Sequence, residues 1–134
     1  MKERTFVMIK PDGVKRGLVD EIVSRIHRAG LKVVSKKVLT LDRRTAEKLY
    51  EVHREKEFFE RLIVHVIWGE SVVMLVEGEQ AITKMRELAG ATDWRKAAEG
   101  TIRGDFGTSI TENIVHASDS AKSAKRELSL FFQI

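Results

Sequence analysis

The 134-residue chain contains no cysteine. That absence removes disulfides, thiolate metal ligands and cysteine nucleophiles together, and it permits a reducing compartment. Proline occurs once, at position 11, so there is no proline-rich linker to divide the chain. Aromatic residues make up 7%, mostly at helix-core spacing, a weak signal for the exposed stacking platform of an RNA-binding sheet. No apolar run approaches the roughly 18 residues needed to span a bilayer, so no membrane partner is expected. The opening "MKERTFVMIK" passes from charges straight into a β-like run, without the apolar segment of a secretory signal. A cytoplasmic location is the expectation.

What the chain does have is a globular balance, with 43% hydrophobic and 33% charged residues, which sets it apart from disordered sequences. The net charge of +4 is spread with mixed signs. It fits either an ordinary solvated surface or attraction for a polyanion, nucleotide or nucleic acid. With no internal repeat or low-complexity tract, residues 1–134 are expected to form a single domain.

Hydrophobic periodicity outlines the elements. "TFVMIK" (5–10) is rich in strand formers and ends at Pro11-Asp12-Gly13, which reads as a turn. From Gly17 to Ala29, Leu18, Val19, Ile22, Val23 and Ile26 keep helical spacing, and Gly30 closes the segment. "LKVVSKKVL" (31–39) reads as a strand, and Asp42 as the N-cap of a helix carrying Ala46, Leu49, Tyr50 and His53 on one face. A helix with Phe59, Leu62, Ile63, Val66 and Ile67 inward follows. "SVVMLV" (71–76) has the continuous apolar character of a central strand. Ile82, Met85 and Leu88 mark another helix ending near Gly90, and residues 91 to about 112 read as irregular. "NIVHA" is a last short strand. Ser120 to Phe132 is a helix with Ala121, Ala124, Leu128, Phe131 and Phe132 inward. Without the extra helices the order is βαββαβ, an α+β ferredoxin-like arrangement with an antiparallel sheet. That fold hosts many activities, so function must come from a site.

The candidate site is "NIVHASDS" (113–120). A histidine at a strand end is usually structural, but Ser118, Asp119 and Ser120 are all N-cap residues immediately ahead of a helix. A helix start offers free N–H groups to an anion. Neutral imidazole is a nucleophile, so His116 is placed to attack a phosphoryl group and carry it covalently. Glu127 shares a face with Ser120, seven residues on, and could orient the ring; spacing alone favours surface solvation for it. Phosphoryl transfer also needs a cationic clamp, for which Lys10, Arg86, Arg103 and His53 are candidates. Other signals carry less. Arg103-Gly104-Asp105 spells an integrin-binding tripeptide in a chain without secretory features. Lys122, Lys125 and Arg126 read as a solvent face. His27 and His65 lack partners at metal-ligand spacing. There is no Walker GxxxxGK[ST] and no kinase glycine loop, so any nucleotide site is of another kind.

The same stretch resembles the Asn-x-x-His-(Gly or Ala)-Ser-Asp signature of nucleoside diphosphate kinases, and the similarity runs along nearly the whole chain. "ERTFVMIKPDGVKRGLV" is similar to the family's first strand and turn, and "YEVHREKEFFERL" to its Tyr-x-x-His followed by Phe-Phe. "GATDWRKAAEGTIRGDFG" is similar to the stretch leading into its Gly-Thr-Ile-Arg segment, and "SAKRELSLFF" to its last helix. The resemblance implies ping-pong transfer of the terminal phosphate from ATP or another triphosphate to a diphosphate, through phosphorylated Nδ1 of His116. Glu127 and Ser118 would hold the imidazole, with Tyr50 beside the phosphate path. Arg86, Thr92, Arg103 and His53 would bind phosphates; Lys10 and Asn113 would meet sugar hydroxyls and terminal phosphate. Phe58 would stack on the base, with Leu62 and Ile110 closing the slot. Mg2+ would travel on the phosphates, reached by Asp119 through water. Stacking grips a π-face that every base has, so broad base tolerance follows.

The chain also departs from the family's pattern. Ala117 stands where glycine is commoner; if that backbone required positive φ, alanine would cost of order 1 kcal/mol. Many members carry proline where this chain has Glu57, Glu70, Trp94 and Glu99, and each such loss loosens the unfolded chain by about 0.4–1 kcal/mol where the native conformation suits proline. Trp94 and Glu99 fall in the loop that packs around the threefold axis of hexameric members, and the chain stops soon after Phe132. The resemblance therefore implies a homo-oligomer, a tetramer built from dimers, with a hexamer as the alternative. The rival readings are a basic nucleic-acid-binding or interaction module, with nucleic acid not expected as the main partner, and a catalytically inactive relative. All residues matched to chemistry are present, which argues against the last.

Overall fold

The computed structural model describes residues 2–108 and 113–133. Its elements are β1 (Lys2–Ile9), α1 (Pro11–Lys15), α2 (Val19–Arg28), β2 (Lys32–Leu39), α3 (Arg43–Leu49), a 3-10 turn (Glu51–His53), α4 (Phe59–Ile67), β3 (Ser71–Glu79), α5 (Ala81–Ala89), α6 (Ile102–Phe106), β4 (Val115–Ala117) and α7 (Ala121–Phe131). The sheet runs β2-β3-β1-β4 with every neighbouring pair antiparallel. With α2 and α5 as the two crossing helices, this is the ferredoxin-like βαββαβ order.

The two central strands are covered on both faces, which explains their unbroken apolar runs. Val7, Ile9, Val72, Met74 and Val76 pack on Ile22 and Ile26 of α2 and Met85 of α5. Alternate residues, Phe6, Met8, Val73 and Leu75, pack against Ala46 and Leu49 of α3, Ile63 and Val66 of α4 and Leu128 of α7. β2 lies at the edge and carries a bulge between Val33 and Ser35. Val34 and Val38 on it are exposed. None of the described helices is long and apolar enough to cross a membrane.

Two caps act as the side chains suggested. Asp42 accepts from Thr45 N–H at 2.7 Å, and Ser120 accepts from Ser123 N–H at 3.1 Å, each worth about 1 kcal/mol to its helix. Four readings change. Pro11-Asp12-Gly13 is the first turn of α1 and not an open turn, because proline at the first helical position has no N–H to lose and a suitable φ. The helix after Asp42 ends at Leu49 and tightens into the 3-10 turn. The segment expected to be irregular contains α6, capped by Thr101 Oγ1 accepting from Gly104 N–H at 3.0 Å. In α7, Ala121 is exposed and Glu127 is buried, so the inward face is rotated toward the carboxylate.

Candidate active site

β4 pairs in register with β1, so that His116 lies opposite Met8, and α7 folds back across the end of that pair. This brings the strand-borne histidine to the buried carboxylate of Glu127. His116 Nε2 lies 2.8 Å from Glu127 Oε1, and Ser118 Oγ donates to the same oxygen at 2.7 Å. Ser118 is itself fully buried, its backbone N–H donating to Phe6 O at 3.2 Å. A carboxylate only accepts here, so the ring carries its hydrogen on Nε2 and keeps the lone pair on Nδ1. Nδ1 has no hydrogen-bond partner among the described residues. Phe6 and Tyr50 flank the ring, Tyr50 in edge contact with centroids 5.3 Å apart.

The ring lines a cleft of about 480 Å³, a size suited to a small-molecule ligand. Of the residues singled out from sequence, Lys10, Tyr50, His53, Phe58, Leu62, Arg86, Thr92, Arg103, Asn113, His116, Asp119 and Glu127 all line it. Ser118 sits behind, reaching it only through Glu127. Ile110 lies outside the described residues. Phe58 is half-buried, with His53 5.6 Å from its ring and Lys56 Nζ 5.6 Å from its centroid.

Two of the cleft's cations, Arg103 and Lys10, are anchored by neutral acceptors. Arg103 donates from Nη1 to Gly90 O at 2.8 Å and from Nη2 to Val115 O at 2.9 Å. Burial lowers its pKa to about 10, which leaves it charged at neutral pH. Lys10 Nζ donates to Asn113 Oδ1 at 2.9 Å, and Asn113 Nδ2 to Thr92 O at 3.3 Å. Burial first, and Arg103 second, lower the Lys10 pKa to about 7. Burial and then the neighbouring Lys56 hold His53 below its ordinary value, so it offers hydrogen bonding more than charge. Burial raises the Tyr50 phenol, with Glu127 adding to the effect; it stays protonated.

Tyr50 Oη, His53 Nδ1 and Arg103 Nε are three of the five buried side-chain polar atoms left without a partner among the described residues. All three residues line this cleft, so a ligand with several acceptor oxygens would answer them together. No group of three or more His, Asp or Glu among the described residues could hold a metal ion. Hydrogen bonds from Ser123 chiefly hold the Asp119 carboxyl below its usual range, and one ionised carboxylate suits Mg2+ that keeps its waters and arrives on phosphates.

The strained backbone is at Ile114 and not at Ala117. Outside glycine, only Gln80 and Ile114 have positive φ among the described residues, Ile114 at 80°. Val115 N–H closes on Asn113 O at 2.9 Å across it, a γ-turn. For a β-branched residue such a conformation costs of order 1–3 kcal/mol and persists only where surroundings enforce it. Gly13 permits the close approach: a Cβ there would lie 2.9 Å from Ile9 Cγ2 and 3.0 Å from Ile114 Cγ2. Sequence reading also missed Asp12 and His65, both buried and joined at 3.1 Å. Their 53-residue separation hides the pair from any spacing rule.

A sequence model described as nucleoside diphosphate kinase matches residues 3–134. The chain belongs to the nucleoside diphosphate kinase family. A relative from Ignicoccus hospitalis named nucleoside diphosphate kinase is 59% identical over 131 residues, covering 98% of this chain and 89% of its own length. The solved nucleoside diphosphate kinase of Halobacterium salinarum, in complex with CDP, is 43% identical with a TM-score of 0.96, covering 100% of this chain and 90% of that one. That of Encephalitozoon cuniculi is 36% identical with a TM-score of 0.95, covering 97% and 88%. Within this family's pattern Ala117 is an unstrained strand residue paired with Val7, so the departure from glycine carries no backbone penalty here.

Lys10 gives this cleft of a nucleoside diphosphate kinase family member a testable pH signature, should a phosphate bind there. A bound phosphate favours the charged ammonium, so its pKa rises on binding and protons are taken up. Affinity for a nucleoside diphosphate is expected to be full below about pH 7 and to weaken by at most roughly tenfold per pH unit above it. Calorimetry in buffers of different ionisation enthalpy measures this; Lys10→Met is expected to bind more weakly and to lose the proton uptake.

Proposed function

We propose that this nucleoside diphosphate kinase moves the terminal phosphoryl group of a nucleoside triphosphate to a nucleoside diphosphate through phosphorylated His116. The observation that carries the proposal is the 2.8 Å Glu127–His116 Nε2 contact. It leaves Nδ1 as the ring's lone pair in a cleft whose unpartnered groups suit phosphate. In the first half-reaction that lone pair attacks the terminal phosphorus. The N–P bond forms as the bond to the bridging oxygen breaks, and the electron pair leaves with the diphosphate. The imidazolium charge that develops is held by Glu127, which Ser118 orients. In the second half-reaction a terminal oxygen of the acceptor diphosphate attacks the same phosphorus, and the pair returns to Nδ1. No proton has to cross the site, and the two half-reactions give ping-pong kinetics.

Arg103 and Arg86 stabilise the charge that spreads over the phosphoryl oxygens, and Tyr50, His53 and Thr92 donate or accept hydrogen bonds along its path. Lys10 and Asn113 take the sugar hydroxyls and terminal phosphate. Phe58 stacks on the base, with Leu62 bounding the slot, so the grip is on features shared by all nucleotides. Mg2+ bound on the phosphates would neutralise their charge and orient them, with Asp119 meeting it through water. The family's pattern and the exposed valines of the β2 edge support a homo-oligomer, which we take to be a tetramer built from two dimers in place of a hexamer. The family supports a cytoplasmic location, which the lack of cysteine permits, and the match along residues 3–134 supports the whole chain acting as one domain.

Incubation with terminally labelled ATP and Mg2+ tests the reading. An acid-labile, base-stable phosphoprotein is expected, with label passing to GTP when GDP follows. His116→Ala should abolish it; label retained there at full level would sink the mechanism. Glu127→Gln keeps an oxygen that can accept from Nε2 but removes the negative charge that holds the imidazolium, so phosphorylation should slow roughly ten- to a hundredfold. Light scattering on the size-exclusion peak is expected to give the mass of four chains, and that of six would favour the hexamer.

A further inference from the structure

Buried Asp12 and His65 and the exposed Trp68 form a polar chain that lies outside the cleft lining. The Trp68 indole Nε1–H donates to His65 Nδ1 at 3.1 Å. Nδ1 is therefore the acceptor, and the ring's hydrogen sits on Nε2, which donates to Asp12 Oδ1 at 3.1 Å. The opposite tautomer would set two donors against each other at Trp68 and leave Asp12 facing a lone pair. The second Asp12 oxygen, Oδ2, accepts the backbone N–H of Ile114 at 3.1 Å. On the other side of that residue, Lys10 N–H donates to Ile114 O at 2.8 Å. The residue with positive φ is thus clamped at both of its backbone polar groups.

The two flanks of the γ-turn are held unequally. Val115 is tied into β4 by its pairing with Ile9 and by Arg103 on its carbonyl oxygen. Asn113 precedes the strand, and its side chain is held by the Lys10 ammonium and the Thr92 carbonyl. If Asp12 lost its hold on the Ile114 N–H, the strained peptide would relax toward Asn113, the side with less backbone pairing among the described residues. Such a shift would carry Asn113 away from Lys10 while leaving His116 on its strand.

We infer that His65 is a positioning residue for nucleotide binding: through Asp12 it holds Ile114 at positive φ, and so places Asn113 and the Lys10 ammonium. This rests on the reading of the cleft as a nucleoside diphosphate kinase site. Its outer end is Trp68, half-exposed, with Lys15 Nζ 5.4 Å from the ring centroid. The chain therefore runs from the surface of α4, through its last turns, to the segment ahead of the catalytic strand.

The test compares the full-length protein with His65→Phe, His65→Gln and Trp68→Phe, measuring kcat and the KM for a nucleoside diphosphate. Melting temperature and the fraction of chains that take label from ATP are recorded for each. His65→Phe is expected to raise KM about tenfold with kcat within about twofold. His65→Gln, whose amide can donate to Asp12, should recover most of that loss, and Trp68→Phe should raise KM roughly two- to threefold. A residue that only filled space would lower the melting temperature and the competent fraction and leave KM unchanged. An unchanged KM in folded His65→Phe overturns the inference; should that variant not fold, an unchanged KM in Trp68→Phe does so. Wild-type protein that takes no label would instead refute the enzymatic reading, and the inference with it.

Discussion

An imidazole has two nitrogens, and a carboxylate on one of them decides what the other can do. Here Glu127 accepts from Nε2 of His116, and most of the architecture serves that contact. The pairing of β4 with β1 fixes the histidine's backbone. The Ser120 cap starts α7 at the point that brings Glu127 back over the strand. Ser118 fills the second hydrogen-bonding site on the same carboxylate oxygen. Removed from this setting, a buried glutamate would be a liability, because a carboxylate taken out of water needs donors to offset the lost solvation. The donors it has are His116 and Ser118 on one oxygen and, at 3.4 Å, the Arg126 guanidinium on the other.

The treatment of cations follows the same logic in reverse. On the outer surface arginines are matched with carboxylates: Arg43 with Glu47 and Glu60, Arg25 with Glu21 and Asp105. In the cleft, Arg103 and Lys10 are held by backbone carbonyls and an amide. These neutral acceptors fix position without cancelling charge, so the positive potential stays available to a polyanion. The consequence of packing such cations together appears in the Lys10 pKa, about 7. The backbone strain at Ile114 belongs to the same economy of design, since it turns Asn113 toward Lys10 just ahead of the catalytic strand.

Much of the fold was legible because burial on two faces leaves a plain mark: "SVVMLV" and "TFVMI" are apolar at every step where helices cover both sides. The helices on either side of the sheet followed from their spacing. His116 and its clamp were legible as a motif and as a resemblance, and the described members of that set meet in one cleft. Spacing alone misread Glu127, which the resemblance places on the imidazole, because a charged residue seven positions into a helix looks solvated until a serine and a histidine from outside the helix satisfy it. α6 was missed since its five residues are too short to show periodicity. Asp12, His65 and Ile114 escaped for a related reason. Their roles rest on contacts between segments 53 and 102 residues apart, which no local pattern records.

The central claim is that the Glu127 contact reserves Nδ1 of His116 for attack. The most direct measurement is nitrogen-15 NMR on histidine-labelled protein before and after reaction with ATP, with phosphorus coupling used to find the bonded nitrogen. In the resting protein His116 should show a protonated Nε2 and an unprotonated Nδ1, and after reaction the coupling should lie on Nδ1. Phosphorus coupled to Nε2, or a resting ring with its hydrogen on Nδ1, would contradict the account.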